Sequence, residues 1–176
     1  MLKNIGLFIF SSIFTATGFA QNVNSVEHKN AVYVEFGGNG IFNSINFDRL
    51  LNPQSLNNKL SLRIGAGFYK SANDSSIITT VPFEINYWPG KSNLHLELGV
   101  GYTPSFGHRT YKKDNIVYAE KDFDSNIILR AGVRYQEKDG KILLRCGLTP
   151  VIYKNYYDNG KIKIQLWGGI AVGFVF

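Results

Sequence analysis

From Ala31 to the final residue the chain alternates apolar side chains with polar ones or glycine, in eight segments separated by turn residues. The segments lie near 31–40, 41–51, 59–69, 76–88, 93–105, 125–136, 141–152 and 162–176. A period of two sends alternate side chains to opposite faces of a strand. Length narrows the outcome further. A tilted strand needs about 9–11 residues to cross a bilayer, whereas strands of soluble proteins average about 5–6. The fold class expected is all-β, with eight antiparallel up-and-down strands.

The two faces differ in kind. In the fifth segment Leu94, Leu96, Leu98, Val100 and Tyr102 oppose His95, Glu97, Gly99 and Gly101. In the sixth, Ile127, Leu129, Ala131, Val133 and Tyr135 oppose Ile128, Arg130, Gly132 and Arg134. The seventh sets Ile142, Leu144, Cys146 and Leu148 against Leu143, Arg145, Gly147 and Thr149. One face is continuously apolar, and the other mixes glycine with full charges. A soluble sheet turns its apolar face inward and its charges to water. A membrane barrel reverses this, with apolar side chains on lipid and polar ones in the lumen. The reversed arrangement explains the glycines. Eight strands enclose a space just wide enough for side chains, so long Arg and Glu side chains need small neighbours. The charges also balance: Glu35, Asp48, Glu84 and Glu97 stand against Arg63, Arg130, Arg134 and Arg145. Buried charge is tolerable only when paired.

The first twenty residues read as an export signal. Lys3 precedes the apolar run Ile5-Gly6-Leu7-Phe8-Ile9-Phe10, and Gly18 and Ala20 stand at −3 and −1 of a cut after Ala20. The organisation expected is a signal peptide at 1–20, a short polar periplasmic lead at 21–30 and a barrel at 31–176. Nothing after residue 20 approaches eighteen consecutive apolar residues, so no helical span is expected. The net charge of +6 could signal nucleic acid or an anionic surface. An exported chain seldom meets nucleic acid. The single cysteine, Cys146, cannot form an internal disulfide. On the apolar face it behaves as a small hydrophobe.

Aromatic residues gather towards segment ends, at Phe68-Tyr69, Tyr87-Trp88, Tyr102, Tyr135 and Tyr153, where the interfacial girdles of a barrel belong. Residues 88–93 and 136–140 read as tight turns. A long polar connection, about 106–124, and another at 153–161 read as surface loops. The alternation in Asn115-Ile116-Val117-Tyr118-Ala119 points to a hairpin continuing above the membrane, with an edge suited to a protein partner by strand addition. Gly37-Gly38-Asn39-Gly40 lacks the lysine and following helix of a phosphate loop and reads as a turn, shorter than this side of such a barrel usually carries. Arg109, Lys112, Lys113 and Lys121 in the long connection are candidates for gripping lipopolysaccharide phosphates.

No metal or other cofactor is expected, because His28, His95 and His108 have no ligand spacing. For lipid hydrolysis or acyl transfer a Ser, a His and an acid would have to meet at the membrane edge. His95 and Glu97 share a side of one strand, and Ser61 could approach them, but that side is the lumen. His95 is expected in the interior hydrogen-bond network beside Glu97, and no enzyme chemistry is expected.

The C-terminal end is the most specific signal. Ile164, Leu166, Ile170, Val172, Phe174 and Phe176 share the apolar face, and Phe176 is the last residue. This resembles the alternating, aromatic-ended strand by which outer-membrane barrels are recognised by their insertion machinery, with Phe174 and Phe176 as the signal. With the leader and eight strands, the chain is similar to small eight-stranded outer-membrane barrels of the OmpA transmembrane-domain and OmpX type. The segments 34–40, 96–101 and 167–170 also resemble those of other exported barrel proteins. The resemblance implies an outer-membrane address, with lipid and lipopolysaccharide as neighbours, and no activity. The reading is a structural or interaction barrel with a salt-bridged interior. The alternatives are an outer-membrane lipid A deacylase or acyltransferase, a narrow pore, and a soluble periplasmic carrier of lipocalin type.

Overall fold

The computed structural model describes residues 28–53, 55, 57–70, 76–113, 116–137, 141–155 and 160–176, with backbone alone at 109–113, 116–120 and 155. The expected signal peptide and most of the lead lie outside the described residues. Eight strands form the wall. They are β1 (Asn30–Gly37), β2 (Asn43–Leu50), β3 (Asn58–Lys70), β4 (Ile77–Thr80 and Phe83–Pro89), β5 (Leu94–Lys113), β6 (Ile116–Gln136), β7 (Ile142–Leu148 and Val151–Asn155) and β8 (Lys161–Gln165 and Gly168–Val175). The divisions in β4 and β7 fall at Pro82 and Pro150, which cannot donate to the ladder. Their carbonyls still accept, from Gly65 N at 2.9 Å and Leu129 N at 3.0 Å, and the register continues unshifted on both sides.

Each strand pairs antiparallel with its chain neighbour, and β8 closes on β1 through Ala31↔Val175 to Gly37↔Gly169. The sheet therefore has no edge over most of its height. From Val32, cross-strand partners run through Phe47, Ile64, Phe83, Tyr102, Ile127, Ile152 and Ile164, one apolar residue per strand. The circuit reaches β8 at Ile164, ten residues from Phe174, which pairs directly with Val32. A stagger of that size goes with strands tilted by roughly 40°.

The alternation read from the sequence orients the side chains. Val32, Val34, Phe36, Leu62, Ile64, Leu96, Leu98, Leu144, Ile170, Val172 and Phe174 all face outward and are exposed. Cys146 is exposed on the same face. The buried set is mostly polar. Among its apolar members, Ala31, Tyr33, Leu143, Ala171 and Val175 form a small cluster at the end of the barrel where the termini lie, and Leu50, Trp88 and Ile128 are buried elsewhere.

The strands differ greatly in length: β1 and β2 have 8 residues each, β5 has 20 and β6 has 21. Two expectations change as a result. Apart from 114 and 115, which lie outside the described residues, the stretch 106–124 is not a loop; it is paired strand from Phe106↔Phe123 to Lys113↔Ile116. The first segment does not run to residue 40. β1 stops at Gly37, and Gly38–Gly40 forms a single 3-10 turn whose three residues are all buried. Gly37 and Gly38 have φ of 72° and 65°, a region where a side chain is strained. That conformation bends the chain into the barrel instead of away from it, which accounts for the short connection.

Candidate functional site: the charged interior

Period two puts Glu35, Asp48, Arg63, Glu84, His95, Glu97, Arg130, Arg134 and Arg145 on the inward face of seven different strands beside β8's small residues, and all nine are buried. The structure joins the eight charges into two linked clusters. In the first, Glu35 places Oε2 2.5 Å from Arg63 and Oε1 2.6 Å from Arg130. Glu84 does the same, with Oε2 2.7 Å from Arg63 and Oε1 2.6 Å from Arg130. Each carboxylate is thus divided between two guanidinium groups, and charges alternate around a closed ring of four. In the second, Arg134 Nη1 lies 2.6 Å from Asp48 Oδ2 and 3.3 Å from Glu97 Oε1, and Arg145 Nε donates to Glu97 Oε2 at 2.9 Å. Arg145 Nη2, 3.9 Å from Glu84 Oε2, bridges the two clusters.

Neutral groups take up the remaining donors. Arg63 donates from Nε and Nη2 to Asn46 Oδ1 at 3.0 and 2.7 Å. Arg145 donates to the Tyr33 hydroxyl and, at 3.2 Å, to Asn86 Oδ1. Arg134 donates twice to Gln136 Oε1, and its guanidinium lies 4.0 Å from the centre of the Trp88 ring. Tyr33 lies beneath both Arg63 and Arg145. Glu97 bonds to both Arg134 and Arg145, which the β6–β7 register sets directly opposite each other. Like charges at that spacing repel unless counter-charges intervene.

Small residues make the space. A Cβ at Gly99 would lie 2.6 Å from Asn86 Oδ1 and 2.8 Å from Glu84 Oε1. One at Gly132 would lie 2.8 Å from Gly147 Cα. The inward turn closes the lumen at the end opposite the termini. Asn39 Oδ1 accepts from Arg130 Nη2 at 3.4 Å, Asn39 O accepts from Thr103 Oγ1 at 2.9 Å, and Gly40 O accepts from Thr80 Oγ1 at 3.2 Å.

Several supporting residues were absent from the sequence-derived set: Tyr33, Asn39, Asn46, Asn86, Trp88 and Gln136. Parity alone identifies five of them, since Tyr33 shares a face with Glu35, Asn46 with Asp48, Asn86 and Trp88 with Glu84, and Gln136 with Arg134. Trp88 corrects the girdle expectation. It is 1% exposed in the lumen, not at the lipid interface.

The remaining candidates fall elsewhere. His95 Nδ1 lies 3.1 Å from Pro89 O beside the turn joining β4 to β5. Ser61 Oγ is buried with no hydrogen-bond partner, so Ser61 and His95 do not form a nucleophile–base pair. Phe174 and Phe176 are exposed on the outer face. Lys121 is exposed and opposite His108. Arg109, Lys112 and Lys113 lie on the projecting part of β5, where their side chains are outside the described residues. Among the described residues no group of His, Cys, Asp and Glu could hold a metal ion.

No protein-family model and no curated protein matches the chain. Among solved structures it is similar to the N-terminal β-barrel domain of Pseudomonas aeruginosa OprF, with a TM-score of 0.52 at 14% identity over 86% of this chain and 98% of that domain. Ail, the attachment invasion locus protein of Yersinia pestis, aligns with a TM-score of 0.43 at 10% identity, over 85% of this chain and 99% of Ail. Neisserial surface protein A aligns with a TM-score of 0.39 at 11% identity, over 84% of this chain and 92% of that one. The register, the outward apolar face and the likeness to the OprF domain agree on the fold: an eight-stranded antiparallel up-and-down transmembrane β-barrel of the outer-membrane type.

Proposed function

We propose that this protein is a structural or interaction barrel of the outer membrane, exported by a signal peptide cleaved near Ala20, with a sealed interior and no catalytic role. The observation that carries this reading is the mutual pairing of four buried carboxylates and four buried guanidinium groups, which share one another across the lumen. A pore needs a continuous aqueous path. Here the path is crossed by two ionic layers, the apolar cluster at one end and the inward turn at the other.

The termini then lie on the periplasmic side, and the hairpin of β5 and β6 projects outward. Beyond His108, β5 has no ladder partner among the described residues except β6, and the hairpin continues to Lys113, about 16 Å further along the strand. Its edges are the surface offered to a protein partner by strand addition. Lys121 at its base, with Arg109, Lys112 and Lys113 further along it, would meet lipopolysaccharide phosphates. Phe174 and Phe176 would be read by the insertion machinery during assembly.

Two measurements on purified, refolded protein test the reading. Migration on a detergent gel should change on heating, as expected of a stable barrel. Planar bilayers should show no steady conductance after insertion. Stepwise conductance comparable to an open pore would overturn the sealed interior, and release in soluble form by osmotic shock would overturn the membrane location.

A further inference from the structure

The wall is incomplete on one side. β1 ends at Gly37, opposite Gly169, and β2 begins at Asn43, while β8 continues as Lys161–Gln165 paired only to β7. On the far side of the gap, Phe68, Tyr69 and Lys70 extend β3 past its last β2 pair, Ser44↔Gly67. Phe42, from the inward connection, stacks on Tyr69 with ring centroids 3.9 Å apart and fills the β3 side. On the β8 side no described residue pairs with the edge. Its outward residues Ile162, Ile164 and Leu166 are 75%, 69% and 74% exposed.

Depth makes this notch consequential. With a climb of about 3 Å per strand around the barrel, Ile164 stands level with Phe106 on β5, near the top of the outward apolar band. Phe36, the last outward apolar residue of β1, lies about 12 Å lower. A flat hydrocarbon boundary would leave the free backbone edge at Ile162, Ile164 and Leu166 in hydrocarbon, where open sheet edges do not persist. Something polar must therefore reach down to the rim. The notch is cationic: beside the edge, whose N–H and C=O groups come in equal number, stand Lys161 and Lys163 on the inward face of β8. At its floor the half-buried Trp167 donates from Nε1 to Ile41 O at 2.8 Å. Tryptophan with its N–H satisfied suits a membrane–water interface.

We propose that the notch seats the phosphate of an outer-leaflet lipid headgroup, drawn below the level of the surrounding interface against Lys161, Lys163 and the β8 edge. An anion matches the two ammonium groups, and its oxygens also accept from the edge N–H groups. A protein hairpin fits less well, because only the β8 edge is open and its outward residues are apolar. The inference rests on the outer-membrane reading.

The test uses full-length protein in vesicles of phosphatidylcholine with phosphatidylglycerol or with lipid A. Trp88→Phe leaves Trp167 as the only tryptophan. Its fluorescence should be quenched by a nitroxide at the lipid headgroup and much less by bromine deep in the acyl chains. In the parent protein, lipids retained in native mass spectrometry should favour either phosphate-bearing anion over phosphatidylcholine. K161Q/K163Q should reduce that preference by about tenfold, while K91Q/K141Q, in the short turns at the opposite end of the barrel, should leave it unchanged. Stronger quenching by chain bromine means hydrocarbon covers the gap, and no quenching by either lipid means protein seals it; each result overturns the proposal. If Trp88→Phe does not fold, the parent protein gives the same contrast over a constant contribution from buried Trp88. Heat-modifiable migration in the same vesicles separates the failures. If it is kept while quenching fails, only the notch is wrong; if it is absent, the membrane reading falls too.

Discussion

Arg63 on β3 and Arg130 on β6 grip the same two carboxylates, each taking one oxygen of Glu35 and one of Glu84 at 2.5–2.7 Å. Neither arginine has a carboxylate to itself, so the ring holds or fails as a unit. Four strands distant in sequence, β1, β3, β4 and β6, are tied together across the lumen by these four side chains.

Arg130→Met should therefore cost about 3–5 kcal/mol, because it strands two buried carboxylates with one partner between them. Combining it with Glu84→Gln removes one of the orphaned charges and should recover part of the loss. Urea unfolding of refolded protein in lipid vesicles, followed by tryptophan fluorescence, measures both. Equal stability in the single and double variants would show that the carboxylates are not coupled through Arg130.

Adjacent residues on β6 should respond oppositely to the same enlargement. Ala131 faces outward and is exposed, whereas a side chain at Gly132 would meet the backbone of β7. Ala131→Leu should be nearly silent. Gly132→Leu should cost at least about 1–3 kcal/mol, the range for overpacking. The temperature at which the compact gel form is lost reads the difference.

The inside–outside assignment was legible because period two is a rigid consequence of strand geometry. Glu97 and Leu98 had to point opposite ways, and they do. The set of interior charges followed from the same parity, but their partners did not. Arg63 sits between Asp48 and Glu84 in the registers, yet Asp48 bonds across the lumen to Arg134. Side-chain reach across a tube is not a nearest-neighbour property. The inward fold of Gly38–Gly40 was hidden because glycine marks a turn without fixing its direction. The hairpin of β5 and β6 was read partly as a loop because charged strands above a membrane lose the apolar face that signals a strand.

Leu98→Arg puts a charge on the lipid face and should destabilise the inserted barrel by about 2–4 kcal/mol near mid-membrane. Leu98 is 56% exposed, so packing loss inside the protein contributes little. Refolding yields into vesicles should fall steeply, while Lys121→Ala, above the apolar band, should leave them unchanged.

Deletion of Phe176 separates assembly from stability. The residue lies on the outer face past the end of β8 and closes backbone bonds with Asn30 at 2.8 and 2.9 Å. Spontaneous refolding in vesicles should drop only slightly. The assembled fraction in cells should drop far more if insertion machinery reads this end. Equal losses in both settings would assign Phe176 a purely structural role.

Nuclear Overhauser contacts between lipid acyl methylenes and the protein in nanodiscs test the orientation of the side chains most directly. Leu96, Leu98, Val100, Leu144 and Val172 should all show contacts to acyl chains, and Glu97, Arg130 and Arg145 should show none. Water contacts at those leucines, with acyl contacts at the arginines, would contradict the fold's assignment of inside and outside.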